Sequence, residues 1–191
     1  TLTINKDTVG DIEFHAKLNN QAKRIDLNGN VIGKHNELVL QGSYPLTADS
    51  DGLNINGYIE RVDLSILNTL LPAFVYDVDG KANGTVSLTG SIQKPNLTGY
   101  LKLRKAEATV QYLHTHYMVE DGQVNLNAGE IDLTGLELTD IYGNKANATG
   151  RIVHDYLRDW RLDLSVASNN FQFVNTNFEL NPDYFGEVIA A

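Results

Sequence analysis

Residues 86–103 read VSLTGSIQKPNLTGYLKL. Val86, Leu88, Gly90 and Ile92 alternate with Ser87, Thr89 and Ser91. After a short Gln-Lys-Pro break, Leu97, Gly99, Leu101 and Leu103 alternate with Thr98, Tyr100 and Lys102. Period two of this kind marks strands with one apolar and one wet face. Upstream the same alternation carries Ile12, Phe14 and Leu18, then Ile25 and Leu27, Leu38 and Leu40, and Leu53, Ile55 and Ile59. Downstream it carries Val124 and Leu126, Ile131 and Leu133, Leu136 and Leu138, Ile152, and finally Leu162, Leu164 and Val166. The intervening positions are Asn, Thr, Ser, Asp and Lys almost throughout. This predicts an all-β chain of about thirteen strands. The turns are expected at Asn28-Gly29, Asp51-Gly52, Asp79-Gly80, Asp121-Gly122 and Gly143-Asn144.

Glycine also falls inside the apolar stripe. Gly42, Gly57, Gly90, Gly99 and Gly150 each lie two residues from an apolar neighbour. Glycine within a strand marks a bend, a bulge or a close approach. Bends at similar depth in several strands describe a sheet that folds over along a line; the alternative is the corners of a β-sandwich. One segment leaves period two. In residues 63–74, Leu67, Leu70, Leu71 and Phe74 follow helical spacing, with Asp63 placed to cap the start and Pro72 to end it. A short helix is therefore expected over 63–71, resting on a tertiary surface.

The chain has 191 residues, 15 Lys+Arg and 24 Asp+Glu, hence a net charge of −9. Such acidity argues against a duplex nucleic acid or an anionic membrane as partner. There is no cysteine, so neither disulfides nor thiolate metal sites are available. No apolar run reaches the roughly 18 residues of a membrane-crossing helix. No linker or fixed-period repeat divides the chain, which reads as one continuous unit over 1–191.

Candidate sites for chemistry are weak. His114 and His116, with Met118 and Glu120 in register, would share a strand face, but two imidazoles and a carboxylate at that spacing are a common accident. Asp49-Ser50-Asp51-Gly52 and Asp77-Val78-Asp79-Gly80 lack the fuller ligand set of calcium loops. No nucleophile elbow, phosphate loop or zinc-protease motif occurs. Only Trp160 is available to stack on a sugar, so an enzyme or a polysaccharide-acting protein is disfavoured. Lys102, Arg104 and Lys105 make a basic spot that could meet a lipid phosphate; it reads better as an edge strand guarding itself against pairing. The expectation is no catalytic residue, no metal and no cofactor.

The stretch from Asp63 to Leu103 resembles a recurring pattern of the TamB family of AsmA-like envelope proteins. That pattern is a Leu-rich helix ending near a proline, then strands carrying Gly84, Leu88, Gly90, Pro95, Leu97, Gly99, Leu101 and Leu103. Asp140, Gly143, Asn144, Ala146, Gly150, Ile152 and His154 fit a second motif, and the terminal FQFVNTNFELNPDYFGEVIAA is similar to the lead into the C-terminal part of Bacteroidetes-type members. The resemblance implies a fragment of a long periplasmic protein anchored in the inner membrane outside this segment. Its implied fold is an elongated, curled antiparallel or mixed sheet with one or two short helices, forming an open trough with an apolar interior, a β-taco. Its implied roles are phospholipid movement toward the outer membrane and outer-membrane protein assembly with a TamA-type barrel. The lining of the trough would be the alternating apolar residues given above, from Ile12 to Val166, with acyl chains as the ligand. About thirteen strands in one row would span roughly 60 Å. The competing expectation is a closed β-sandwich binding or adhesive module with a sealed core.

Overall fold

The computed structural model describes residues 2–4, 7–47, 52–168, 170–181 and 185–190. The strands run β1 (Leu2–Ile4), β2 (Asp7–Asn19), β3 (Arg24–Ile32), β4 (Glu37–Pro45) and β5 (Leu53–Asp63), then a 3₁₀ turn (Leu64–Ile66) and α1 (Leu67–Leu70). They continue with β6 (Val75–Gly90), β7 (Pro95–Val110), β8 (Thr115–Asn127), β9 (Glu130–Asp132) and β10 (Leu136–Thr139). The last are β11 (Lys145–Asp155), β12 (Arg158–Ala167), β13 (Phe171–Thr176) and β14 (Gly186–Ala190). The chain is thus nearly all β with one short helix. Twelve strands form one sheet in the order β1 to β8, β10, β11, β12, with β9 between β8 and β11. Every neighbouring pair of strands is antiparallel, and β1 and β12 do not meet, so the sheet is not a closed barrel. β13 and β14 form a separate hairpin.

Several Asn-Gly and Asp-Gly pairs that read as turns lie inside strands. Gly29 sits mid-β3 opposite Phe14 and Leu40. Asp79-Gly80 falls within β6 and Asp121-Gly122 within β8. The physical reason is that β6 and β7 are 16 residues long and bend rather than break. β6 bulges where Asp77 takes φ 50° and Gly80 φ 111°. Gly143-Asn144 does make a turn. Residues 48–51 lie outside the described residues, so Asp49 and Asp51 do too.

The glycines that stay on the apolar face serve backbone approach. At Gly84 (φ +155°) an added Cβ would stand 2.1 Å from the Tyr100 carbonyl oxygen, and at Gly99 (φ +133°) 2.1 Å from that of Thr85. Both backbones sit where L residues are strained, and both would drive a methyl into the next strand.

The helix is shorter than its spacing predicts. The Asp63 side chain accepts from Ser65 N at 3.0 Å, as expected of a cap. Leu71, however, leaves the helix at φ −129°, because a residue before proline is pushed out of the α region. Leu71 and Phe74 therefore do not share a helical face; Leu64 and Leu67 make the contact instead, against Val62, Val78, Ala82 and Leu103. Asn68 fastens the helix to β6, accepting from Val78 N (2.9 Å) and donating to Val78 O (3.1 Å). The basic spot is not on an edge: β7 is paired on both sides, and Arg104 lies 3.7 Å from Asp121 on the wet face.

Gly99→Ala is expected to lower unfolding free energy by about 2–4 kcal/mol, the sum of left-handed strain and a forced strand shift. Gly143→Ala, at φ +82° with open space around it, should cost about 1 kcal/mol. Urea denaturation of the two variants measures both.

Candidate functional site

The register aligns apolar residues into rows that run across the sheet. One row passes Phe14, Gly29, Leu40, Gly57, Val86, Gly99, Leu126, Ile131, Ile152 and Leu162. The next holds Ile12, Val31, Leu38, Ile59, Gly84, Leu101 and Val124, with Gly150 opposite Leu164 further along. On the other side lie Ala16, Leu27, Gly42, Ile55, Leu88 and Leu97, and beyond them Leu18 opposite Ile25 and Leu53 opposite Gly90. Leu103 stands between Ala82 and Gly122; Leu136 and Leu138 face Ala148 and Ala146; and Ala148 faces Val166. Leu133 follows β9 and donates its N–H to Gly150 O at 2.9 Å. Ile92 differs: β6 ends at Gly90, and Ile92 lies in the 91–94 turn, 63% exposed.

Large side chains and glycines alternate across strands in the first row. The Leu40 and Val86 side chains both lean over Gly57, where a Cβ would stand 3.1 Å from Leu40 Cδ2 and 2.7 Å from Val86 Cγ2. Gly29 and Gly57 are gaps that neighbouring side chains fill, whereas at Gly99 the backbone of β6 comes close instead.

The face is covered unevenly. On β2 it is bare, with Phe14 59% and Leu18 55% exposed. Along β4 to β7 the residues of the two central rows are half-buried by one another, apart from the buried Gly57 and Gly84. Cover begins towards one end of the strands. There the helix packs on β5–β7, and Phe171 of β13, with no exposure, packs among Val119, Val124, Leu136, Leu138, Ala146 and Ala148. Tyr117 stacks on Phe171 at 5.2 Å and donates its hydroxyl to Gln172 O at 3.0 Å. Periodicity does not reveal that the terminal hairpin lies over the sheet; the only local signal is Phe171 and Phe173 two residues apart.

Asp140 ties that hairpin down. It is fully buried, and its carboxylate accepts from Gln172 N (3.0 Å), Tyr142 N (2.9 Å), Asn144 N (2.9 Å) and Asn144 Nδ2 (3.1 Å). Burial alone would raise its pKa; the bond from Gln172 N and those from Asn144 and Tyr142 outweigh it and hold the carboxyl below its ordinary value. Glu187 of β14 adds bonds from Tyr142 Oη (2.7 Å) and Gln172 Nε2 (2.9 Å). His154, the last residue of the same sequence motif, is buried against Trp160 at 4.7 Å and accepts from Leu157 N.

His114 and His116 do not converge. His114 sits in the turn before β8 and meets Tyr76 Oη at 3.1 Å, while His116 meets Thr109 Oγ1 at 3.0 Å. A shallow depression of 490 Å³ on the wet face is lined by uncharged groups, among them Gln41, Asn56, Tyr58, Thr85 and Ser87.

The chain is 26% identical over 155 residues to the translocation and assembly module subunit TamB of Haemophilus influenzae. The similarity to TamB is distant. The match takes in 80% of this chain and 11% of the TamB chain, so this chain corresponds to a small part of that protein's length. No family model matches it, and no solved structure does.

Because the folded pKa of Asp140 is lowered, its stabilisation is present above the unfolded value near 4 and is lost as pH falls through the folded one. Asp140→Ala leaves buried N–H donors unpaired and is expected to cost at least about 2 kcal/mol. Asp140→Asn should flatten the fall in thermal stability between pH 6 and pH 3, read by calorimetry against the unsubstituted chain.

Proposed function

We propose that this chain is one continuous segment, over 1–191, of a longer TamB-like protein of the bacterial cell envelope, of the Bacteroidetes type and from its C-terminal region. In this reading it stands in the periplasm as part of a chain anchored in the inner membrane. Its apolar face shields acyl chains as phospholipids pass between the inner and outer membranes. Through the full-length protein it supports outer-membrane protein assembly with a TamA-type barrel. It does no chemistry of its own.

The observation that carries this reading is the run of apolar rows across β2 to β7 that no second sheet covers among the described residues, bare on β2 and half-buried further along. An antiparallel sheet normally buries such a face against a second layer. Here the described residues supply only a short helix and a two-stranded hairpin as cover, both towards one end of the strands. A closed sandwich would need a second large sheet, and among the described residues the second sheet has two strands. The ten-strand row from Phe14 to Leu162 spans roughly 43 Å at ordinary strand spacing. That exceeds the roughly 15 Å depth of one leaflet's hydrocarbon, so the row can take a whole acyl chain. Each methylene moved out of a bilayer costs about 0.8 kcal/mol in water, so a sixteen-carbon chain faces about 13 kcal/mol unless apolar surface meets it continuously. The polar headgroup would remain in water beyond the rows.

Native mass spectrometry of the purified chain should show phospholipid retained, and Phe14→Asp and Leu88→Asp should each reduce its occupancy at least about tenfold. Phe14 is exposed, so its replacement should cost less than about 1 kcal/mol of stability and separates binding from folding. A chain free of lipid, or Phe14→Asp binding as well as the original, would sink the proposal.

A further inference from the structure

The outer edge of β12 is open along its length among the described residues, whereas at the opposite edge β1 already pairs with the start of β2. Backbone directions on β12 follow from its neighbours. The carbonyls of Ala148 and Gly150 accept from Gly135 and Leu133, so the even-numbered groups of β11 point away from β12. The odd-numbered groups of β11 therefore point toward it, and Arg151 and Thr149 exchange bonds with Asp163 and Ser165. Alternation leaves the N–H and C=O of Leu162 and Leu164, beyond the bulge at residues 158–161, aimed outward. The strand has no proline, and the register shift in its pairing with β11 is confined to its first residues, opposite Val153 to Asp155. Proline and a mid-strand bulge, two devices that usually blunt an edge, are thus missing from residues 161–167; a third, charge, is present in both signs at Arg161 and Asp163.

We propose that β12 is a self-pairing edge, and that two copies of this chain join through it as a two-fold antiparallel dimer with Leu162 on the axis. The register is set by charge. With Leu162 opposite itself, Arg161 of each copy faces Asp163 of the other, twice. Sliding the pairing by one step either way places Asp159 against Asp163 and Arg161 against Arg161, or Asp163 against Asp163. On the wet face Asp132, Arg151 and Asp163 already lie side by side across β9, β11 and β12, a sequence of negative, positive, negative. Arg161 of the second copy extends it with the next positive charge. On the opposite face Trp160 meets Leu164 of the second copy, and Leu162 meets Leu162. A two-fold axis normal to the sheet keeps both apolar faces on the same side, so the row ending at Leu162 runs on into its copy. The inference rests on the edge and its charges, and stands whether or not the face carries lipid.

Light scattering coupled to size exclusion should give a dimer at tens of micromolar. Emission of Trp160, the chain's one tryptophan, should move to the blue as concentration rises through the dissociation constant. Arg161→Asp and Asp163→Arg should each weaken the dimer at least about tenfold, and the two together should restore it to within about threefold, a pattern that misfolding does not produce. In this cysteine-free chain, Leu162→Cys should form an intermolecular disulfide, since paired residues bring Cα atoms to about 5.5 Å. Arg158→Cys, set against Val166, should not. A monomer at all concentrations, a dimer indifferent to both charge reversals, or equal cross-linking at 158 and 162 would each overturn the proposal.

Discussion

A β-sheet can leave its wet face in water at no cost, but its apolar face must be met by something. In this chain the hydrogen-bond ladder runs through twelve strands without a break in order, and that continuity fixes where every apolar side chain goes. One side of the sheet collects nearly all of them. The fold has too little other material to cover it: four residues of α-helix and one hairpin. The partial cover at β8 to β11, the bare surface at β2 and the half-buried middle all follow from that shortage.

The cover that exists is held by polar bonds as well as by packing. Phe171 fills the space over Ala146 and Ala148, where small side chains leave room for a ring. The backbone of β13 then needs partners of its own, and Asp140 and Tyr117 meet Gln172 on its two polar atoms. Asp140 thereby satisfies a turn and a docked hairpin with one carboxylate. Asn68 does the same in miniature for the helix, answering both backbone groups of Val78 beside the β6 bulge.

Much of this was legible in the residues. Period two located β2, β4, β5, β7, β11 and β12, because a strand with one wet face must alternate. It could not separate a glycine that turns the chain from one that lets two strands close up, since both follow Asn or Asp; hence Gly29, Gly80 and Gly122 read as turns and lie in strands. The helix start was visible in Asp63, while its early end depended on how strongly Pro72 constrains Leu71. The basic spot at Lys102, Arg104 and Lys105 suggested an edge, but strand order is a tertiary fact that no local pattern of charge contains. The docking of β13 was hidden for the same reason: its partners on β8, β10 and β11 lie 23 to 52 residues before Phe171 in sequence. The resemblance to TamB came from the order of loose motifs and not from any one of them.

In the large sheet, strands that touch are almost always consecutive in the chain; the exceptions are the small detours around β9 and β10. Such an arrangement is close to one-dimensional, with each strand's stability set by two neighbours. Pairs of strands can then be gained or lost in the middle without changing which face any other residue occupies, provided the count changes by two and the antiparallel alternation is kept. Length becomes a quantity that duplication or deletion of a hairpin can tune, and the distance such a sheet reaches is written in the number of its strands, not in any particular residue.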